Sequence, residues 1–216
     1  MKSRSLRILA FIFGIALNSF GVAFVTKAAL GTSPISSVPY VLSLALPLSL
    51  GQFTFIMNLG FILIQAILLR KEFAPVQYLQ ILVNLLFSAC IDWSMALLFW
   101  LAPVSIPARL ASLLAGCCIL ALGISIEVAP DVLLVPGEGV VKAIAHVTHF
   151  RFGSVKVAFD VCLMVLAASL SFFFFRELRG LGLGTVISAL LVGRIVNVCN
   201  LRLPLIPRIR TLKTKR

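Results

Sequence analysis

Three carboxylates stand close together in this sequence and are the first residues that suggest chemistry. Glu127, Asp131 and Glu138 fall within twelve residues, beside prolines that interrupt regular helix. Carboxylates next to unwound backbone carbonyls suit a cation or a proton, and the free N–H groups at a helix start suit an anion. The other interpretation is that Glu127 and Asp131 only cap and solvate the end of a helix.

Glu138 also begins a series of ionisable residues spaced by four. Glu138, Lys142 and His146 lie on one face if this segment is helical, with the acid before the base, which is the favourable order. Such a face can relay protons, because histidine titrates near neutral pH. It can equally be the wet face of an amphipathic helix at a membrane interface.

Lys156 and Asp160 form a second pair, one helical turn apart at the start of an apolar run. They either neutralise each other, which lowers the cost of inserting both into a membrane, or mark a central site. The second interpretation gains support because Asp160 occupies the position of Asn58 in the internal repeat described below. Asn58, Lys156 and Asp160 are therefore candidates for binding a substrate or an ion.

Four more polar residues lie in apolar surroundings. Ser33 and Ser36 stand at the start of a short helix, where they satisfy their own backbone or line a substrate path. Asp92 and Arg194 occupy nearly corresponding places in the two halves of the chain. We predict that they form an intramembrane ion pair, either a structural clamp or a gate, because a lone charge is costly in low dielectric.

The elements that must position these residues are predicted to be membrane-spanning helices. Of the 216 residues, 61% are hydrophobic and 12% are charged, and the mean hydropathy of +1.12 excludes an ordinary soluble domain. Six apolar runs have roughly the twenty residues that an α-helix needs to cross a bilayer, at 6–25, 51–69, 75–102, 108–129, 156–175 and 181–200. The first run is too long for a signal peptide and further spans follow it, so we assign it to the first transmembrane helix.

Two further apolar segments are too short to span a membrane. Residues 35–47 follow Pro34 and residues 137–149 follow Pro136, and proline is favoured in the first turn of a helix. Segments of this length are more often re-entrant or interfacial than spanning. The predicted fold class is an all-α polytopic membrane protein with about six transmembrane helices and two short re-entrant helices.

The sequence also predicts an internal duplication. A shift of 102 residues aligns the two halves without a gap and places Gly14 on Gly116, Gly21 on Gly123, Pro34 on Pro136 and Gly51 on Gly153. With three spans in each half, the second half enters the membrane from the opposite side, as an inverted repeat. We therefore divide the chain into a first repeat (1–106), a second repeat (107–201) and a basic tail (202–216). Eight crossings stay open as an alternative, because the distribution of positive charge favours six by a single residue.

The formal net charge of +12 fits a membrane location better than nucleic-acid binding. Six of the nineteen basic residues lie in the tail without the aromatic interleaving of a nucleic-acid site, at Arg202, Arg208, Arg210, Lys213, Lys215 and Arg216. Such an excess is typical of cytoplasmic segments that meet anionic lipid, so both termini are expected in the cytoplasm. The five cysteines lie in apolar segments without a C-x-x-C spacing and are expected to be reduced.

Three motifs resemble those of a known family. The segments 30–40 (LGTSPISSVPY), 134–139 (LVPGEG) and 152–160 (FGSVKVAFD) are similar to motifs of the YitT/YczE family of bacterial membrane proteins. The likeness runs from about Gly14 to Asn200. It implies a location in the bacterial inner membrane and implies no particular activity, because that family has no settled one.

Function has to be inferred without a catalytic motif. The sequence contains no motif for nucleotide hydrolysis, ester hydrolysis or zinc proteolysis, and we expect neither an enzyme nor a bound metal or cofactor. The leading hypothesis is a secondary transporter or permease for a small solute, with its site between the repeats. A transporter predicts a polar cavity that reaches the membrane midplane and is lined by Asp160 or Glu138.

Two alternatives stay open. One is a substrate-binding membrane component that needs a separate energising protein. The other is a non-transporting scaffold or regulator, which predicts a closed bundle with its carboxylates at the lipid headgroups. Each of the three can form a homo-oligomer.

Overall fold

Eight α-helices make up the fold in the computed structural model, which describes residues 2–204, 206, 207 and 209. The helices are α1 (Lys2–Lys27), α2 (Pro34–Ala45), α3 (Leu50–Leu69), α4 (Gln80–Leu97), α5 (Ile106–Val128), α6 (Pro136–Thr148), α7 (Phe152–Phe175) and α8 (Leu183–Arg202). Six of them are long and apolar enough to cross a membrane, and α2 and α6 are the short ones. The predicted all-α fold class, with six apolar spans and two short helices, is confirmed.

The third span is shorter than the run predicted over 75–102. Pro75–Leu79 is a 3₁₀ helix that leads into α4, and α4 ends at Leu97. Proline suits this first turn because its fixed φ angle is already helical. The connection over 98–105 ends at Ser105, whose hydroxyl accepts a hydrogen bond from the Ala108 backbone N–H and so begins α5.

Helices α1 and α5 form a close antiparallel pair at the centre of the bundle. A Cβ atom added at Gly21 would lie 2.5 Å from the Leu120 Cα atom, and one added at Gly123 would lie 2.3 Å from the backbone nitrogen of Asn18. Carbon atoms normally pack at about 3.5–4.0 Å, so both positions need glycine unless the backbone shifts. Two of the glycine pairs aligned by the shift of 102 residues, Gly14 with Gly116 and Gly21 with Gly123, thus lie where the two helices touch.

The contacts between α1 and α5 are related to each other by that same shift. Gly14 faces Glu127, and Val25 faces Gly116. The shift turns Gly14 into Gly116 and Val25 into Glu127, so the two contacts exchange when the halves exchange. The contact of Gly21 with Leu120 and that of Gly123 with Asn18 exchange in the same way. The four contacts therefore form two pairs whose members exchange under the shift of 102 residues.

The remaining helices pack around α1 and α5 in matching ways. Helix α4 packs on α1 as α8 packs on α5, and α2 packs on α7 as α6 packs on α3. The Ile35 side chain, at the start of α2, lies against Gly137 at the start of α6. These two residues are also related by the shift of 102, so their contact maps onto itself.

The short helices begin in the buried interior and end on opposite faces of the bundle. The Pro136 carbonyl, at the start of α6, accepts a hydrogen bond from the buried Gln65 side chain at 3.1 Å. Helix α6 ends beside Glu72, just after the end of α3, whereas α2 ends shortly before α3 begins. We call the face where α1 begins the Arg7 face and the face where α1 ends the Lys27 face.

The two halves differ in how their last two spans pack. Helix α3 packs along α4, and Asn58 Nδ2 donates a hydrogen bond to Asn84 Oδ1 at 2.8 Å between them. The equivalent helices α7 and α8 make almost no contact with each other and are the least buried spans. One half is therefore closed along this seam, and the other half is open.

Candidate functional site

A buried carboxyl group lies at the centre of the polar residues. Glu127, in the last turn of α5, has only 2% of its surface exposed. The Asn18 amide on α1 donates a hydrogen bond to its Oε2 atom at 2.7 Å. The close α1–α5 crossing at Gly14 and Gly123 permits this direct contact. Glu127 is therefore buried inside the bundle and is not solvated at its end.

Glu138 stands near Glu127, in the first turn of α6. The two carboxyl groups repel each other, and Lys156 on α7 attracts Glu138. Burial raises the pKa of the Glu138 carboxyl group, and the Lys156 charge opposes part of that effect. Three helices, α5, α6 and α7, thus contribute charges to one location.

Lys156 and Asp160 pair within α7. Lys156 Nζ donates to Asp160 Oδ1 at 2.5 Å, and the two side chains are 32% and 18% exposed. This contact is the self-neutralised arrangement that their spacing allows, and Lys156 also links the pair electrostatically to Glu138. We call Asn18, Glu127, Glu138, Lys156 and Asp160 the ionic cluster. Chemically, neighbouring carboxyl groups beside one lysine can share a proton or hold a small cation.

Other residues predicted to lie with Glu138 are outside the ionic cluster. Lys142 is exposed, and the exposed His146 Nε2 atom lies 2.8 Å from Glu72 Oε2. Asp131 is also exposed, at the turn after α5. Lys142 and His146 therefore lie on the solvent-exposed side of α6, as the second interpretation of the spacing has it, whereas Glu138 is half-buried and belongs to the ionic cluster.

Ser33 and Ser36 are buried at the start of α2 and bond to each other. The Ser33 hydroxyl donates to the Ser36 hydroxyl oxygen at 2.9 Å, and Ser37 donates to the Pro34 carbonyl at 2.6 Å. These bonds favour the interpretation that the serines satisfy their own segment. Asn58 is likewise used in the contact between α3 and α4.

The ion pair that we predict between Asp92 and Arg194 is wrong. Asp92 Oδ2 accepts a hydrogen bond from the Ser49 hydroxyl at 2.5 Å, and Oδ1 accepts one from the Gly51 N–H at 2.8 Å. The carboxylate caps the start of α3, where free N–H groups and the helix dipole favour a negative charge. Arg194 is exposed on the middle of α8, and the described residues include no ion pair to it. Sequence position indicates depth along a helix but not which sides of two helices face each other.

A cavity of about 930 Å³ opens on the Lys27 face. It lies between the ends of α1, α2 and α4 and the beginnings of α3 and α5, and we call it the vestibule. Its polar lining includes Lys27, Tyr40, Gln52, Asp92 and Arg109. We expect a transporter cavity beside Glu138 or Asp160, and neither residue lines the vestibule.

The vestibule ends on a hydrophobic layer in the middle of the bundle. Tyr40 and Met95 line the cavity and also pack against the buried residues Val22, Ile91 and Leu120. This layer separates the vestibule from the ionic cluster, which lies nearer the Arg7 face. Burial raises the pKa of the Tyr40 phenol, and a tyrosine hydroxyl is in any case protonated at neutral pH and able to donate a hydrogen bond.

On the Arg7 face, Arg7 bridges α1 and the turn after α5 at the position that corresponds to the vestibule mouth. Arg7 Nη2 donates to the Pro130 carbonyl at 2.7 Å and to the Asp131 carbonyl at 3.3 Å, which joins the start of α1 to the turn after α5. The shift of 102 residues turns Arg7 into Arg109, which lines the vestibule and donates to the Pro103 carbonyl instead. Neither Arg7 nor Arg109 is among the site residues predicted from the sequence. The signal that points to them is that both are basic and that the shift of 102 residues aligns one with the other.

Comparisons with known proteins identify a family but no activity. The model of a family of unknown function, DUF6198, matches residues 5–201, which is nearly the whole chain. No curated protein and no solved structure matches the sequence. The comparison does not name the YitT/YczE family, so that resemblance stays a prediction.

Proposed function

The chain belongs to the DUF6198 family of unknown function, and from its geometry we propose that it is a secondary transporter or permease of a small solute. The observation that carries the proposal is a bundle with two matching halves, open to a vestibule at one face and bridged by Arg7 at the other. In transporters built from inverted repeats, the site lies between the halves and access alternates between the two faces.

We take residues 1–106 and 107–201 as an inverted duplication. Support comes from the α1–α5 contacts that exchange under the shift of 102, and from the self-related contact of Ile35 with Gly137. Because α1 and α5 are antiparallel, the relation places the halves in opposite orientations across the membrane. The short helices α2 and α6, which end on opposite faces, agree with it.

The unequal packing of the halves gives alternation a physical basis. Helices α3 and α4 are together, while α7 and α8 are apart. If the halves exchange conformations, α7 packs on α8, α3 leaves α4, and the opening moves to the Arg7 face. Arg109 then donates a hydrogen bond to the Ala28 carbonyl, in the turn after α1, as Arg7 now donates to the Pro130 carbonyl.

Reversible cross-linking in reconstituted vesicles tests alternation. Arg7→Cys with Pro130→Cys places one thiol on each side of the closed contact, and Arg109→Cys with Ala28→Cys does so at the open face. A short disulfide-containing cross-linker is applied and later cleaved with dithiothreitol. The four single variants, treated identically, are the matched controls. The readout is the change in a metabolite mixture inside the vesicles, measured by mass spectrometry.

We expect the wild-type protein to exchange at least one solute. Each double variant should lose exchange when linked and recover it after reduction, while the single variants keep it. A double variant that stays active when fully linked would refute alternation between these faces. Wild-type protein without any exchange, across acid to alkaline pH and with or without a sodium gradient, would favour the scaffold.

One observation favours a membrane component that works with an energising partner. Arg194 is exposed on the middle of a span, where a charged side chain is expected to meet a partner or water. An acidic side chain on a helix of another protein would satisfy it. Exchange by the purified protein alone, unchanged in Arg194→Leu, would exclude this second function.

The proposal includes the location and orientation of the protein. We infer a bacterial inner membrane, with both termini in the cytoplasm, which makes the Arg7 face cytoplasmic. Arg202 is exposed at the end of α8, whereas the predicted lipid-binding residues further along the tail lie outside the described residues, namely Arg208, Arg210, Lys213, Lys215 and Arg216. A cysteine placed at Leu201 should resist a membrane-impermeant thiol reagent in intact cells and react after the cells are opened.

A further inference from the structure

The vestibule has the size and the walls of a small-molecule site. Its volume of about 930 Å³ lies within the range of about 300–1,000 Å³ that is typical of ligand pockets. Apolar side chains form much of its wall, namely Leu44, Leu48, Leu50, Met95, Phe99 and Leu101. A ligand that fills this space therefore needs an apolar body.

The charges around the vestibule are predominantly positive. Lys27 and Arg109 line it from α1 and α5, and among the residues that the structure describes neither takes part in an ion pair. Asp92 is the one acidic residue in the described lining, and both of its carboxylate oxygens accept hydrogen bonds at the start of α3. The positive end of α3 offsets part of the Asp92 charge, as the negative end of α1 does for Lys27, and the lining keeps an excess of positive charge.

The other polar groups of the vestibule are mainly hydrogen-bond donors. Arg109 Nε donates to the Pro103 carbonyl at 3.1 Å, which holds the guanidinium at the wall and leaves its terminal amino groups for a ligand. Gln52 Oε1 accepts from the Ser49 N–H at 2.9 Å, so the Gln52 amino group is left to donate. The Tyr40 hydroxyl adds a further donor. Such a set matches an acceptor-rich anion better than a cation.

We propose that the vestibule binds a small organic monocarboxylate, with the carboxylate between Lys27 and Arg109 and the apolar body against the apolar wall. Because this assignment rests on the proposed transport function, it names the substrate class of that function. The phosphate of an anionic lipid headgroup offers related anionic chemistry, so the test has to separate lipid from solute.

Equilibrium binding of benzoate and isovalerate to the full-length protein, in nanodiscs of neutral phosphatidylcholine, tests the assignment. Benzylamine and benzyl alcohol share the aromatic body of benzoate but carry the opposite charge or none. The informative variants are Lys27→Gln and Arg109→Gln, with Lys27→Arg as the charge-preserving change. Lys71→Gln is the matched control, because Lys71 is exposed after the end of α3 and does not line the vestibule.

We expect at least one carboxylate to bind, and each of Lys27→Gln and Arg109→Gln to weaken its binding by about tenfold. Lys27→Arg and Lys71→Gln should bind like the wild type, and thermal unfolding shows whether Lys27→Gln and Arg109→Gln are folded. The assignment is overturned if neither carboxylate binds, if benzylamine binds as well as benzoate, or if both glutamine variants keep wild-type affinity.

Two further measurements distinguish solute binding in the vestibule from lipid binding and from transport. Carboxylate binding that persists when phosphatidylglycerol is added to the nanodiscs supports a solute site. Phosphatidylglycerol retention that depends on Lys27 and Arg109, without carboxylate binding, assigns the vestibule to lipid and overturns the proposal. A carboxylate that binds but is not exchanged by vesicles supports the site and counts against transport. Exchange of another solute without carboxylate binding overturns only the site.

Discussion

Alanine at the α1–α5 crossing should destabilise the protein, unlike alanine at Gly60, where an added Cβ atom has room. Gly21→Ala adds a Cβ atom that would lie 2.5 Å from the Leu120 Cα and N atoms, which are main chain and cannot rotate away. The helices must separate by about 1 Å to restore an ordinary contact of about 3.5 Å. Overpacking of this kind costs about 1–3 kcal/mol, whereas alanine in place of glycine within a helix stabilises by about 1 kcal/mol.

We place the packing cost at the upper end, because the clash involves backbone on both helices. The net loss for Gly21→Ala is then about 2 kcal/mol. For a chain of this size, such a loss lowers Tm by about 4–8 °C. Gly60→Ala is the matched control, since a Cβ atom added at Gly60 on α3 meets no atom of the described residues within 4 Å. Helix propensity alone should leave Gly60→Ala as stable as the wild type or slightly more stable.

Thermal unfolding in detergent, followed by fluorescence and by the fraction that remains monodisperse after heating, measures the difference. Gly123→Ala should behave like Gly21→Ala, because the two glycines make equivalent contacts. Gly21→Ala protein as stable as Gly60→Ala would refute the close α1–α5 crossing. A large difference between Gly21→Ala and Gly123→Ala would refute the two-fold relation between the contacts.

Three further predictions concern polar residues and use the same thermal assay. Asn18→Leu should destabilise by about 1–3 kcal/mol, because the buried Glu127 carboxyl group loses its donor, and Glu127→Leu in the same chain should recover part of that loss. Asp92→Ala should cost about 1–2 kcal/mol through loss of the cap of α3, with Asp92→Asn intermediate; unchanged stability would contradict the cap. Burial raises the pKa of Glu138, so the wild type should lose stability as the pH rises from the ordinary glutamate value of about 4.3 towards the raised one. Glu138→Gln should flatten part of this profile, whereas Glu177→Gln, at an exposed carboxyl group, should leave it unchanged.

The number of spans and the presence of two short helices could be predicted from the sequence. Both depend on hydropathy and on the position of proline, which are properties of a single segment. Pro34 and Pro136 are the first residues of α2 and α6, where the sequence places them. The third span was predicted too long, since apolar residues of the connection after Leu97 have the same hydropathy as a helix. Length and composition therefore identify a membrane-spanning segment better than they locate its ends.

The packing of one segment on another was less predictable. Glu127 and Glu138 come together, but Asp131 between them is exposed, at a turn where its φ angle is +49°. The sequence contains all three carboxylates without showing that the chain reverses at the middle one. The predicted ion pair between Asp92 and Arg194 is wrong for a related reason, because the depth of a residue along α4 or α8 does not determine which side of the helix faces the interior.

The two halves keep the same residues at the contact between α1 and α5 but differ at the ionic cluster, and both facts have a physical reason. Glycine is retained at both members of each aligned pair on α1 and α5, because a contact between two similar helices constrains both copies equally. The ionic cluster is different, since its four charged members Glu127, Glu138, Lys156 and Asp160 correspond to uncharged residues in the first half, namely Val25, Ser36, Thr54 and Asn58. A charge inside the bundle needs only one set of partners, and a second copy would add the same desolvation cost again. The shift of 102 residues is therefore a guide to where the backbones touch, whereas the chemistry of each face has to be read from its own residues. The positive vestibule and the carboxyl groups near the Arg7 face are accordingly unlike, so exchange of the two conformations would present a solute with different charges at its two openings.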